Sequence, residues 1–210
     1  MLRAESQDIS LYLKPGGAVD FEDPLVLREI NMLEVQGLDE NDLVKKVFEH
    51  VRDAYPHSFD LLERLKKSGQ TDGVAVQISC SASDVIRNGH GVCYAKSHLL
   101  AAILRRLGMP AGFCYQKLIL SESPKLLVHA LNAVYLSRAG KWVRLDARGN
   151  KPGIDAQFFV GEEKLAFPVR PELGEQDGNT IYAEPSGNII AMLKSCKTLY
   201  ELANKLPEDI

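Results

Sequence analysis

Three residues in this chain are of the types that together turn a thiol into a catalyst. They are Cys93 in "RNGHGVCYAKSHLL", His129 in "LLVHALNAVYL" and Asp146 in "WVRLDAR". A thiolate, not a thiol, attacks a carbonyl carbon. It needs a group that takes its proton and later gives one to the leaving group, and imidazole does both near neutral pH. A carboxylate beside the imidazole fixes its tautomer and stabilises its charged form. Cys93 opens an apolar stretch of helical character, and Gly89 and Gly91 just before it let the backbone turn tightly. A helix N-terminus has unsatisfied N–H groups and about half a positive charge, which favours a thiolate there. Each residue also has a plainer reading. A buried cysteine is ordinarily a small hydrophobe, a strand histidine a satisfied core residue, a strand aspartate an edge or bulge residue. The order of nucleophile, base and carboxylate along one chain is what carries the chemical reading.

The elements that must position these residues can be read around them. Cys93–Leu107 reads as a helix that is apolar around most of its girth and therefore buried. Gly108 supplies the left-handed residue at its end and Pro110 forbids continuation. Strand character follows at 111–120, 126–137 and 141–148, with "SRAGK" as the hairpin turn. His129, Leu131, Ala133 and Tyr135 share one parity of the second strand. A minimal Ala139–Gly140 turn would pair Asp146 with Ala133, four residues from His129, or about 13 Å along the strand. The reading therefore predicts a longer loop or a bulge between Leu136 and Val143. Upstream, Asp23 and Pro24 start a helix closed by Gly37, and Asp39 starts an amphipathic helix that Pro56 ends. "LLERLKK" is a short helix, "GQTDGVAVQIS" a loop or strand, and "SASDVIRNGHG" holds one helical turn. Residues 151–210 read as loops, one or two edge strands and a helix in "SCKTLYELANKL". The whole, 1–210, is expected to be one domain, with a helical part over 1–56 and its chemistry in 80–150.

Composition narrows the partners. The 210 residues carry 25 basic and 28 acidic side chains, interspersed, for a net charge of −3, and 45% are apolar. No basic block points to nucleic acid and no cationic amphipathic helix to a membrane. The stretch "MLRAESQDISLYLKPGG" has no apolar h-region, so a cytoplasmic location with reduced thiols is expected for the four scattered cysteines, Cys80, Cys93, Cys114 and Cys196. A metal site from His90, Cys93 and His98 lacks a fourth ligand and is set aside. No cofactor is implied.

With these residues in view, the chain resembles the transglutaminase-like superfamily of cysteine enzymes. "GHGVCYAKSHLLAAILRRLGMPAGFCYQ" resembles the family's glycine–cysteine helix and Gly-x-Pro-Ala strand entry. "VHALNAVYL" resembles its histidine strand and "GKWVRLDARGN" its Trp-Val-x-x-Asp strand. The resemblance implies a papain-like α+β fold whose central helix bears the cysteine and packs on an antiparallel sheet. It implies Cys93 as nucleophile, His129 as base and acid, Asp146 as orienter, and a peptide or protein carboxamide as substrate. The oxyanion would bind the Cys93 N–H and a side-chain donor, for which Gln77 and Gln116 are candidates. The chain has "HAL" where members often have "HAW", which leaves the substrate contacts open. No calcium loop is present to carry over. Hydrolysis is the expected outcome. Amine cross-linking, or a binding protein that keeps the fold without turnover, stays open.

Overall fold

The computed structural model of the chain describes residues 2–69, 76–120 and 124–210. A two-residue strand β1 (Arg3–Ala4) and a 3₁₀ turn (Ile9–Leu13) precede helix α1 (Pro24–Met32). Asp23 caps α1 by accepting the Leu25 N–H at 2.8 Å, with Pro24 at the first helical position. The helix stops at Met32, short of Gly37, because Leu33 and Val35 turn into the core and Glu34 between them takes a left-handed φ of 48°. Helix α2 (Glu40–Ala54) is capped by Asp39 and buries Val44, Val47, Phe48 and Val51 against the centre of the molecule. Helix α3 (Ser58–Lys67) follows. Helix α4 (Ala82–Asn88) is longer than the single turn expected. Ser81 and Asp84 form a reciprocal capping box at its start, and Gly89, with φ 73°, ends it. Of "GQTDGVAVQIS", residues 70–75 lie outside the described residues, and 76–79 have no regular structure.

Helix α5 (Cys93–Arg106) is the axis of the fold. Every residue from Cys93 to Arg105 is buried. Its polar side chains are satisfied by carbonyl oxygens of the surrounding elements, as buried polar groups must be. Lys96 Nζ donates to Arg52 O at 3.0 Å and Arg148 O at 3.2 Å, and Arg105 donates to Lys14 O and Ala111 O at 2.8 and 2.9 Å. His98 Nδ1 meets Cys80 O at 2.6 Å. These contacts tie α2, the loop before α4, the chain beyond residue 147, Lys14 and the strand that starts at Ala111 to one helix.

The sheet comprises β2 (Ala111–Leu118), β3 (Leu127–Leu136), β4 (Lys141–Leu145) and β5 (Gln176–Asp177), antiparallel throughout, in the order β4-β3-β2-β5. Strand β6 (Thr180–Ile181) pairs with β1 in parallel. Both faces of the sheet are covered. Val128, Ala130, Val134 and Leu136 join the main core with α5, whereas Leu131 and Ala133 join Tyr12, Cys114 and Ile181 in a second cluster. The alternation read in β3 thus separates two cores. Helix α6 (Gly187–Ser195), which the sequence reading missed, and helix α7 (Leu199–Asn204) close the main core through Ile189, Leu193, Leu199 and Leu202. Among the described residues no helix is long and apolar enough to cross a membrane.

Candidate active site

Cys93 is the first residue of α5. The preceding Val92 gives the helix no side-chain cap. Gly91 pairs with His57, its N–H donating to Pro56 O and its carbonyl accepting from Ser58 N. A Cβ on Gly91 would crowd Val85, Ala95 and Lys96 at 3.2–3.3 Å, so the glycine allows this close approach.

The β3–β4 hairpin delivers the other two residues. Leu136 pairs with Lys141, so the loop is Ser137–Gly140, longer by two residues than the minimal turn, and the ladder runs without interruption to Asn132 and Leu145. The next position sets Asp146 beside Leu131, two residues or about 7 Å from His129 along the strand and on the same parity. The ring covers that offset: His129 Nε2 lies 2.8 Å from Asp146 Oδ2. Asp146 also accepts from the N–H groups of Arg148 and Ala166, each at 3.1 Å. Phe167 stands edge-on to the His129 ring, with centroids 5.1 Å apart at 89°. Cys93 and His129 line the same cleft, and the thiol is close enough to help raise the ring's pKa.

The side chains of His129 and Asp146 are 1% and 0% exposed. Burial disfavours charge on the imidazole. Asp146 and Cys93 outweigh it and push the His129 pKa up to about 10. Burial also raises the carboxyl pKa of Asp146, but His129 and the two N–H donors outweigh it and hold that pKa below the ordinary value. Burial pushes two further thiols up, Cys80 to about 11 and Cys114 to about 12.

Cys93 and His129 open onto a cleft of about 570 Å³ with a mostly apolar wall, including Phe59, Leu127 and Phe167. At one end Arg148 and Lys151 both pair with Asp60. Asp146 sits behind His129 and does not line the cleft. Neither proposed oxyanion donor does either. Gln77 is exposed, and Gln116, opposite His129 in the β2–β3 register, donates through Nε2 to Asp177 at 3.1 Å and lines a different cavity. His90 meets Ser58 Oγ at 2.9 Å, and among the described residues no group of three or more His, Cys, Asp or Glu side chains is arranged to hold a metal. The sequence reading passed over two cleft residues. His57 is placed by Pro56, which ends α2, and Arg148 by the hydrogen bond of its own N–H to Asp146. The breaker and the Asp-Ala-Arg spacing were the signals available.

The family model described as the transglutaminase-like superfamily matches residues 34–147, more than half of the chain. The chain belongs to the transglutaminase-like superfamily. Members of that superfamily are typically cysteine-dependent enzymes. Among solved structures, a "putative cysteine protease" from Cytophaga hutchinsonii is similar at 20% identity and TM-score 0.49, covering 68% of this chain and 43% of that one. A structure described as a TGase is similar at 19% identity and TM-score 0.45, covering 86% and 47%. The chain thus spans less than half the length of either. No curated protein matches it.

Proposed function

We propose that the chain is a thiol-dependent acyl-transfer enzyme acting on a peptide or carboxamide, with water as acceptor, through Cys93, His129 and Asp146. The observation that carries the reading is the His129 ring, bonded to a buried carboxylate and sharing the wall of one cleft with the thiol that starts α5. The raised pKa of His129 keeps it an imidazolium at neutral pH, charged with the proton that the leaving amine requires.

In the first step Cys93 Sγ bonds to the carbonyl carbon and the C=O π pair moves to oxygen. As the tetrahedral species collapses, the C–N bond breaks and the amine takes the proton of His129. Neutral His129 then accepts a proton from water as its oxygen attacks the thioester. The C–S bond breaks, releasing the acid and restoring the thiolate–imidazolium pair. Asp146 holds the ring and offsets its charge throughout. An amine in place of water gives cross-linking by the same steps.

Peptide mapping after exposure to iodoacetamide tests the nucleophile. Cys93 is expected to alkylate well before Cys80, Cys114 and Cys196, and to lose that lead in His129→Ala. Equal rates at all four cysteines refute the reading and leave a binding protein with an idle fold. Ammonia release from a glutamine peptide, against uptake of a fluorescent amine, distinguishes the two acceptors.

A further inference from the structure

The cleft contains an imidazole to which the proposed mechanism gives no part. His57 lines it together with Cys93 and His129, is 9% exposed, and has an enclosed Nδ1 with no hydrogen-bond partner among the described residues. A buried, unpaired polar atom carries a desolvation penalty of about 1–3 kcal/mol, so its presence calls for a physical reason. The backbone holds this residue firmly. His57 bridges Gly91, and the bonds Ser58 N to Gly91 O, 3.1 Å, and Gly91 N to Pro56 O, 3.3 Å, fasten it to the turn that leads into Cys93.

The other polar groups of the cleft are engaged. Tyr94 Oη donates to Val128 O, and Arg148 and Lys151 are both bonded to Asp60. The N–H groups of the first turn of α5 have no side-chain cap. A tetrahedral adduct on Cys93 places its oxygen at this helix start, where a backbone N–H is available and a second donor is needed.

Resting on the acyl-transfer reading, we propose that His57 is the side-chain donor of the oxyanion pocket, a neutral imidazole whose ring N–H bonds the acyl oxygen as it becomes negative. Burial, together with the nearby Arg148, drives the His57 pKa well below the ordinary value. The ring therefore stays neutral and does not compete with His129 for a proton. A neutral donor also does not tie up the Cys93 thiolate as a second cation would. The substrate class follows from this: a carbonyl compound reacting through a tetrahedral adduct, in preference to a substrate attacked at saturated carbon.

Two reagents separate these chemistries at the same sulfur. p-Nitrophenyl acetate acylates Cys93 through an oxyanion, whereas iodoacetamide alkylates it by displacement at saturated carbon with no oxyanion. In His57→Ala, acylation of Cys93 should fall about 10²-fold while alkylation stays within about twofold, and His57→Gln, which restores an N–H, should recover part of the loss. The alkylation rate also reports whether the cleft is still folded. Parallel loss of both rates in both variants, or loss of neither, overturns the role of His57. A wild-type Cys93 that reacts with neither reagent faster than the other cysteines refutes the underlying acyl-transfer reading instead, whatever the His57 variants do.

Discussion

Two buried charge clusters sit two residues apart on the same strand end. Arg144 on β4 bonds Glu163 through Nε and Nη2 at 2.9 and 2.5 Å, and Asp177 through Nη1 and Nη2 at 2.5 and 2.8 Å. Asp146 bonds one imidazole. The guanidinium is 7% exposed, but its carboxylates are 39% and 40% exposed and keep much of their hydration. In the other cluster both partners are cut off from water. The difference lies in unused bonding capacity. Arg144 is held by two carboxylates, and the thiol its charge acts on, Cys114, is sealed in the core, so the cluster fastens the strand 176–177 and the 163 loop to β4. His129 has one nitrogen fixed by a saturated carboxylate and presents the rest of the ring to a thiol and a cleft. Strength of pairing therefore does not distinguish structure from chemistry here, whereas an unfilled valence beside an accessible space does.

The largest effect expected is on reactivity. His129→Ala should slow acylation of Cys93 by p-nitrophenyl acetate about 10²–10⁴-fold, the range of general acid–base catalysis, while Arg144→Met changes it by no more than about twofold. Comparable losses in the two variants would remove the distinction. Stability should divide the clusters as well. Asp146→Ala leaves a buried imidazole without its counter-charge and should cost about 3–5 kcal/mol in urea unfolding. Arg144→Met returns two half-hydrated carboxylates to water and should cost about 1 kcal/mol or less.

Titration sharpens the contrast. NMR of ¹⁵N-labelled histidine should show His129 titrating near 10 in the wild type. In Asp146→Asn burial is opposed by Cys93 alone, and the midpoint should drop by several units; Arg144→Met should leave it in place. The sign for stability follows. The folded pKa of His129 lies above its ordinary 6.5, so its contribution is full below 6.5 and fades as pH rises towards about 10. Asp146 is shifted the other way, so its contribution holds above 3.8 and fades as pH falls through its lowered folded value. Unfolding free energy measured from pH 6 to pH 10 should decline more in the wild type than in Asp146→Asn.

The legibility of this molecule follows the range of the forces involved. Helix α5 was readable because its boundaries are local: Gly89 and Gly91 before it, Gly108 and Pro110 after it, and apolar residues on nearly every side. Lys96, His98 and Arg105 break that pattern because each is answered by a carbonyl from another segment, which no local rule contains, whereas Ser97 is answered within the helix by Cys93 O. His57 escaped notice for the same reason, since its place in the cleft depends on a bridge to Gly91. Helix α6 was missed because its start carries no side-chain cap, and Gly187, its first residue, favours a turn when read alone. Cys93, His129 and Asp146 could be singled out as types in order, but their convergence required a register that parity alone restricts only to even loops.

That register rests on the loop 137–140, and α2 reaches over to hold it. Glu40 accepts from Ser137 N at 2.8 Å, Ser137 Oγ at 2.6 Å and Arg138 N at 3.2 Å. If the carboxylate set the loop length, its removal would let the hairpin slip and carry Asp146 away from His129. The ladder argues otherwise. A slip of one residue turns Val143 out of the main core, and a slip of two breaks the alignment of all five pairs from Asn132–Leu145 to Leu136–Lys141. Either costs far more than three exposed hydrogen bonds, each worth about 0.5–1.5 kcal/mol net in folded proteins and less where water replaces them. Glu40→Ala should therefore lower unfolding free energy by about 1 kcal/mol and leave acylation of Cys93 within about twofold. A larger loss of reactivity than of stability would show that α2, and not the strand pairing, sets the distance between imidazole and carboxylate.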